Sequence, residues 1–121
     1  HRFGYPVGLF TDHERAHGIH GGEIETSLML AFRPELVDLT HAGEFTPYSV
    51  AMESEFARLR ANHPVGFGWL AEDLSGDGAM GDARGATALK GEAAAEFGTR
   101  GFIELLRDVS NFDLERFDHH V

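Results

Sequence analysis

The 121-residue chain carries 20 Asp and Glu against 10 Lys and Arg, a formal net charge of -10 with histidine neutral. That balance speaks against a nucleic-acid partner, because basic patches supply most of the binding free energy to a phosphate backbone. Without cysteine, disulfides and thiolate-held zinc are excluded, which fits a cytoplasmic localisation, and no apolar run approaches the length of a membrane span.

A hydrophobic content of 42% in 121 residues is enough to bury one core of ordinary size, and one domain is the expected count. No charged-then-apolar leader is visible at the start, and a first residue of His1 rather than Met leads to the expectation that an upstream part was removed, left out or supplied as another polypeptide. Phe3 to Phe10 reads as a loop-to-strand approach interrupted by Gly4, Pro6 and Gly8. A helix is predicted from Glu23 or Ile24 to Phe32, ending before Pro34, whose ring disfavours a helical Arg33. Pro34-Glu35 can open another turn, and Val37 and Leu39 lead outward.

Residues 41 to 66 read as a variable insert, with an imperfect helical stripe of Val50, Met52, Phe56 and Leu59. Gly66 to Leu70 is a short aromatic strand candidate, and Ala71 to Gly85 is a Gly- and Asp-rich loop expected near the site. From Ala86, the positions Leu89, Ala93, Phe97, Phe102, Leu105 and Leu106 predict a long helix, interrupted at Gly98 and Gly101, that covers one face of a sheet.

The string from His20 to Leu30, HGGEIETSLML, holds the densest chemistry. Two adjacent glycines admit backbone conformations closed to other residues, so a neighbouring polar side chain can be held where a strand gives way to a helix. Glu23 and Glu25 fall in the first helical turn, where the positive end of the helix dipole favours acids, and Thr26 and Ser27 can bond to local backbone groups.

The run His20 to Val37, HGGEIETSLMLAFRPELV, resembles the signature of the creatininase (creatinine amidohydrolase) family, and Met80 to Glu92, MGDARGATALKGE, resembles the segment that leads into that family's last long helix. The resemblance implies an α/β class: a layered fold with a central, mostly parallel sheet, of which residues 1-121 would be the C-terminal portion of a single domain. It implies hydrolysis of an amide, formamide or cyclic amide C–N bond by a metal-activated water. The cofactors implied are two divalent metal ions, zinc or manganese, and the partner a small-molecule amide.

On the same resemblance His20 is the catalytic proton-transfer residue, with Glu23 and Glu25 orienting it or facing the cleft. Ile19 and Ala16 stand where creatininase itself has a glutamate and a tryptophan, which disfavours creatinine as substrate. The family's metal ligands lie upstream of this region, so no metal role is carried onto Asp12, His13, Glu14 or His17, and pairing with the missing N-terminal portion or homo-oligomerisation is expected.

Blander readings attach to the other polar residues. His13 and His17 read as solvent-exposed histidines, Trp69 as a packing residue, and Asp73, Asp77 and Asp82 lack the regular spacing of a calcium loop. The His119-His120 pair reads as a tail. The alternative in another class is a non-catalytic truncated relative that binds a small molecule or a partner.

Overall fold

The computed structural model describes residues 3–117, and the His119-His120 pair lies outside them. In chain order the helices are α1 (Asp12–His17), α2 (Glu23–Phe32), α3 (Tyr48–Glu55), α4 (Ala71–Leu74) and α5 (Ala88–Asn111), and the strands are β1 (Glu44–Phe45) and β2 (Gly81–Asp82). Short 3-10 turns occupy Pro34–Leu36, Leu39–His41, Ala83–Gly85 and Leu114–Phe117.

Among the described residues no part of the expected central parallel sheet is formed. Their sheet is a two-stranded antiparallel ribbon pairing Glu44 with Asp82 and Phe45 with Gly81, so the described residues are mostly helical. The strand candidate Gly66 to Leu70 is irregular, and Ala71 opens α4 in place of the expected loop; there the Asp73 carboxylate accepts the Leu70 N–H at 2.7 Å and closes the turn. The Phe3 to Phe10 segment is turned rather than extended, with Gly4 and Gly8 both in the left-handed region.

The predicted helix end at Phe32 is the observed one, and Pro34 begins a new 3-10 turn because its fixed φ suits a first helical position. The long helix runs unbroken through Gly98 and Gly101. Gly101 is used for packing, since a Cβ there would come within 2.8 Å of the Phe3 ring.

Instead of covering a sheet, α5 packs on α2. Ser27 is fully buried, and its Oγ accepts the Thr87 N–H at 3.2 Å just ahead of α5. One turn later a Cβ on Gly91 would lie 2.0 Å from the Ser27 carbonyl oxygen, so the two backbones are in direct contact there. At 24 residues α5 is about 36 Å long against about 15 Å for α2, and its apolar stripe continues past that contact through exposed Phe102, Leu105, Leu106 and Val109.

Two small cores result. Met52, Ala61, Leu74 and Met80 form one, with Ile19, Leu59 and Trp69 against it; Phe10, Ile24 and Ala94 form the other, with Tyr5, Leu9 and Leu28 against it. Trp69 also donates its Nε1–H to the Ala61 carbonyl at 2.8 Å, so it packs in this core with its polar edge satisfied. The segment His20 to Gly22 joins the two cores, because Ile19 belongs to the first and Ile24 to the second.

Candidate functional site

His20 is placed by backbone pairing. Its N–H and C=O exchange hydrogen bonds with Met80, at 3.2 and 2.7 Å, in a single antiparallel bridge whose other member is the most buried methionine of the first core. The chain then turns at Gly21, φ +68°, and enters α2 through Gly22. A residue with a Cβ is disfavoured at that φ, which is the reason a glycine follows the histidine.

Glu25 reaches back over this turn. Its Oε2 accepts the Gly21 N–H at 2.8 Å and stands 3.3 Å from His20 Nδ1, while the Thr26 hydroxyl donates to the Gly21 carbonyl at 3.2 Å. One carboxylate therefore fixes the turn and faces the imidazole. Glu23 does something else: its carboxylate pairs with Lys90, whose Nζ also donates to the Gly85 carbonyl at 2.9 Å, and so ties α2 to the start of α5. Of the three predicted site residues, the fold brings His20 and Glu25 together and commits Glu23 to Lys90.

A residue that no sequence motif marks, Glu14, organises the surroundings. It is 4% exposed, yet its Oε1 accepts the Glu23 N–H at 2.7 Å and its Oε2 accepts the Asp82 N–H at 3.1 Å. A side chain from α1 thus satisfies an orphan donor at the start of α2 and tethers β2, a capping role that Gly22 cannot perform for itself. The carboxylate sits in a cage of glycines, since a Cβ on Gly18 would approach Oε1 to 2.1 Å and one on Gly22 to 2.3 Å. Burial pushes the Glu14 carboxyl above the usual carboxylate range, and the N–H groups of Asp82, Glu23 and Ile24 pull it part of the way back. The legible signal is three glycines, at 18, 21 and 22, close behind an acid.

His17, expected at the surface, is buried: its Nδ1 lies 2.9 Å from Ser49 Oγ and its Nε2 3.3 Å from Glu53 Oε1, which ties α1 to α3. His13 remains exposed with its ring 4.9 Å from that of His17. These contacts bear on the metal question for this segment. Both His17 nitrogens and both Glu14 oxygens are occupied, His20 has Glu25 beside it, and among the described residues no group of three or more His, Asp or Glu could hold a metal ion. The two ions implied by the resemblance have no ligand set among the described residues.

Two cavities meet at Glu25. One, about 330 Å³, is bounded by Gly21 and Thr26 and continues over apolar Met29, Leu39 and Phe45. The other, about 410 Å³, lies on the α1 side and includes Tyr5, Arg15 and Ile19. Among the described residues no helix is long and apolar enough to cross a membrane.

The creatininase family model, described as creatinine amidohydrolase, matches residues 1–106. Among solved structures, the chain is similar to a Bacteroides fragilis protein provisionally assigned as a creatinine amidohydrolase, with 27% identity and a TM-score of 0.65 over 93% of this chain. The chain spans 42% of the length of that structure. Among curated proteins no relative matches. With the family model extending from the first residue through most of α5, the chain belongs to the creatininase family.

Proposed function

We propose that this chain supplies the histidine-bearing part of a metal-dependent amidohydrolase that cleaves a C–N bond in a small amide, formamide or cyclic amide. The observation that carries this reading is the His20–Glu25 pair, 3.3 Å apart on a turn locked by the Gly21 N–H, within a chain of the creatininase family. The Glu25 carboxylate 3.3 Å from Nδ1 favours the tautomer with hydrogen on that nitrogen, which leaves Nε2 to take or deliver a proton. His20 is exposed, so a substrate can reach it.

The divalent ions, zinc or manganese, would come with ligands outside this segment, and their contribution in an amide hydrolase is Lewis-acid chemistry. Ile19 and Ala16, apolar and small, favour a substrate other than creatinine. A homo-oligomer or pairing with a further portion of the fold completes the reading.

The test is hydrolysis by the whole protein with zinc or manganese present. His20→Ala is expected to lower kcat about 10²- to 10⁴-fold, the usual range for a lost proton-transfer group, with the fold intact by circular dichroism. Full rate in that variant would remove His20 from the mechanism. Failure of the unaltered protein to bind metal and to turn over any amide would favour the non-catalytic binding module instead.

A further inference from the structure

The cavity on the α1 side of Glu25 has a feature the proton-transfer pair does not use. Its volume is about 410 Å³, its wall joins apolar Ala16, Ile19 and Leu28 to the polar groups of Tyr5, Asn62 and Arg15, and among the described residues Arg15 is the only cation there. Among the described residues Arg15 makes one ion pair, with Asp12, whose Oδ1 is 3.6 Å away on a fully exposed side chain. Such a screened surface pair holds a side chain weakly, so the guanidinium is available to a ligand. Glu25, already engaged with His20 and the Gly21 N–H, lines the same space. The cavity therefore carries one positive group, from α1, and one negative group, from the start of α2.

We propose that this cavity receives the carboxylate-bearing end of a small amide substrate, with the Arg15 guanidinium pairing with that carboxylate and the amide lying toward Glu25 and His20. The inference rests on the amidohydrolase reading for the amide and on the cavity for the anion. A planar guanidinium matches a carboxylate with two parallel hydrogen bonds. A phosphate would fit less well, because a dianion facing a single cation would leave excess negative charge beside Glu25 in a chain already at -10. A cationic amide is disfavoured at the Arg15 end by like charge. Tyr5 reports that these groups share one space: burial raises its phenol, Glu25 raises it further and Arg15 draws it down.

The probes are N-acetylglycine and N-acetylglycinamide, equal in size and differing in the carboxylate. Both are titrated against the full chain by chemical-shift perturbation, on the unaltered protein and on Arg15→Gln and Arg15→Lys. N-acetylglycine is expected to bind about tenfold more tightly, as one charge-assisted pair at a partly exposed site provides, with the shifts centred on Tyr5, Arg15 and Asn62. Arg15→Gln should abolish the preference and Arg15→Lys keep part of it. Equal binding of the two probes, or a preference that survives Arg15→Gln, overturns the proposal.

Turnover separates the two readings. A carboxylate preference in binding without hydrolysis in the metal-supplied protein upholds the anion site and overturns the hydrolase. Hydrolysis of both probes with equal kcat/KM upholds the hydrolase and overturns the anion site.

Discussion

Glu14 Oε1 accepts the Glu23 N–H at 2.7 Å, so an acid on α1 caps a helix whose own preceding residue is a glycine without a side chain. The same carboxylate holds the Asp82 N–H from 68 residues away, and one buried group thereby fixes α1, α2 and β2 around the His20 turn. Removing it leaves two backbone donors without their acceptor. Glu14→Ala is expected to cost about 2–4 kcal/mol, from a lost cap and two partly buried N–H groups left without their acceptor, measured by urea unfolding. Gly22→Ala should fall in the same range, since its Cβ would sit 2.3 Å from Oε1. A loss under about 0.5 kcal/mol in both would show that the cage is not a keystone of the fold.

The Glu14 carboxyl also predicts a pH dependence. Its folded pKa is raised, chiefly by burial, above the ordinary value of 4.5, so the folded state holds this proton more tightly than the unfolded chain. Its contribution to stability is then fully present below about pH 4.5 and is lost as pH rises through the folded value. The stability of the unaltered protein relative to Glu14→Gln should accordingly be greater at about pH 4 than at about pH 7. Asp82 has the opposite sign: Arg84 lowers its pKa, so its contribution is present above 3.8 and fades as pH falls below that value. A flat or inverted difference for Glu14→Gln would contradict the assignment.

The contact of Gly91 with Ser27 makes a prediction against helix propensity. Alanine is favoured over glycine by about 1 kcal/mol in a helix interior, yet a Cβ at Gly91 would lie 2.0 Å from the Ser27 oxygen and 2.9 Å from Ala31 Cβ. Gly91→Ala should destabilise the protein by about 2–4 kcal/mol, because α2 and α5 must separate to admit it. Gly98→Ala, whose Cβ meets nothing within 4 Å, is the matched control and should be neutral or stabilising.

Glu25 and Glu23 should separate by readout. Glu25 Oε2 stands 3.3 Å from His20 Nδ1, so Glu25→Gln, which removes the charge facing the imidazole, is expected to lower kcat about 10- to 100-fold, with little change in stability. Glu23 pairs with Lys90 between α2 and α5, so Glu23→Gln should cost about 1–2 kcal/mol of stability and leave kcat within about threefold. Urea unfolding and steady-state rates on both variants decide it, and a reversed pattern would exchange the two roles.

Local chemistry alone makes α2 readable: an acidic first turn, an apolar face and a proline just beyond Phe32 bound it on both sides. The long α5 is readable from its stripe, and so is the concentration of functional groups at His20 to Thr26, because glycine pairs beside polar residues act within a few positions of each other. The layered sheet is not realised in these residues, since a sheet needs partners, and the strands available here are two residues each. Gly66 to Leu70 has strand-like composition and no neighbour to pair with among the described residues.

The end of α2, the existence of α5, the family and the glycine turn after His20 thus follow from the order of residues in the chain, because each depends on contacts a few positions apart or on a contiguous motif. What each acid does is settled by tertiary structure. Glu25 faces His20, Glu23 turns to Lys90, and Glu14, one member of an Asp-His-Glu cluster with no motif of its own, becomes the buried cap that positions the turn. Beyond the glycines that follow Glu14, nothing local separates three glutamates within twelve residues; their roles separate when α1, α5 and β2 close around α2 and give each carboxylate a different partner and a different degree of burial.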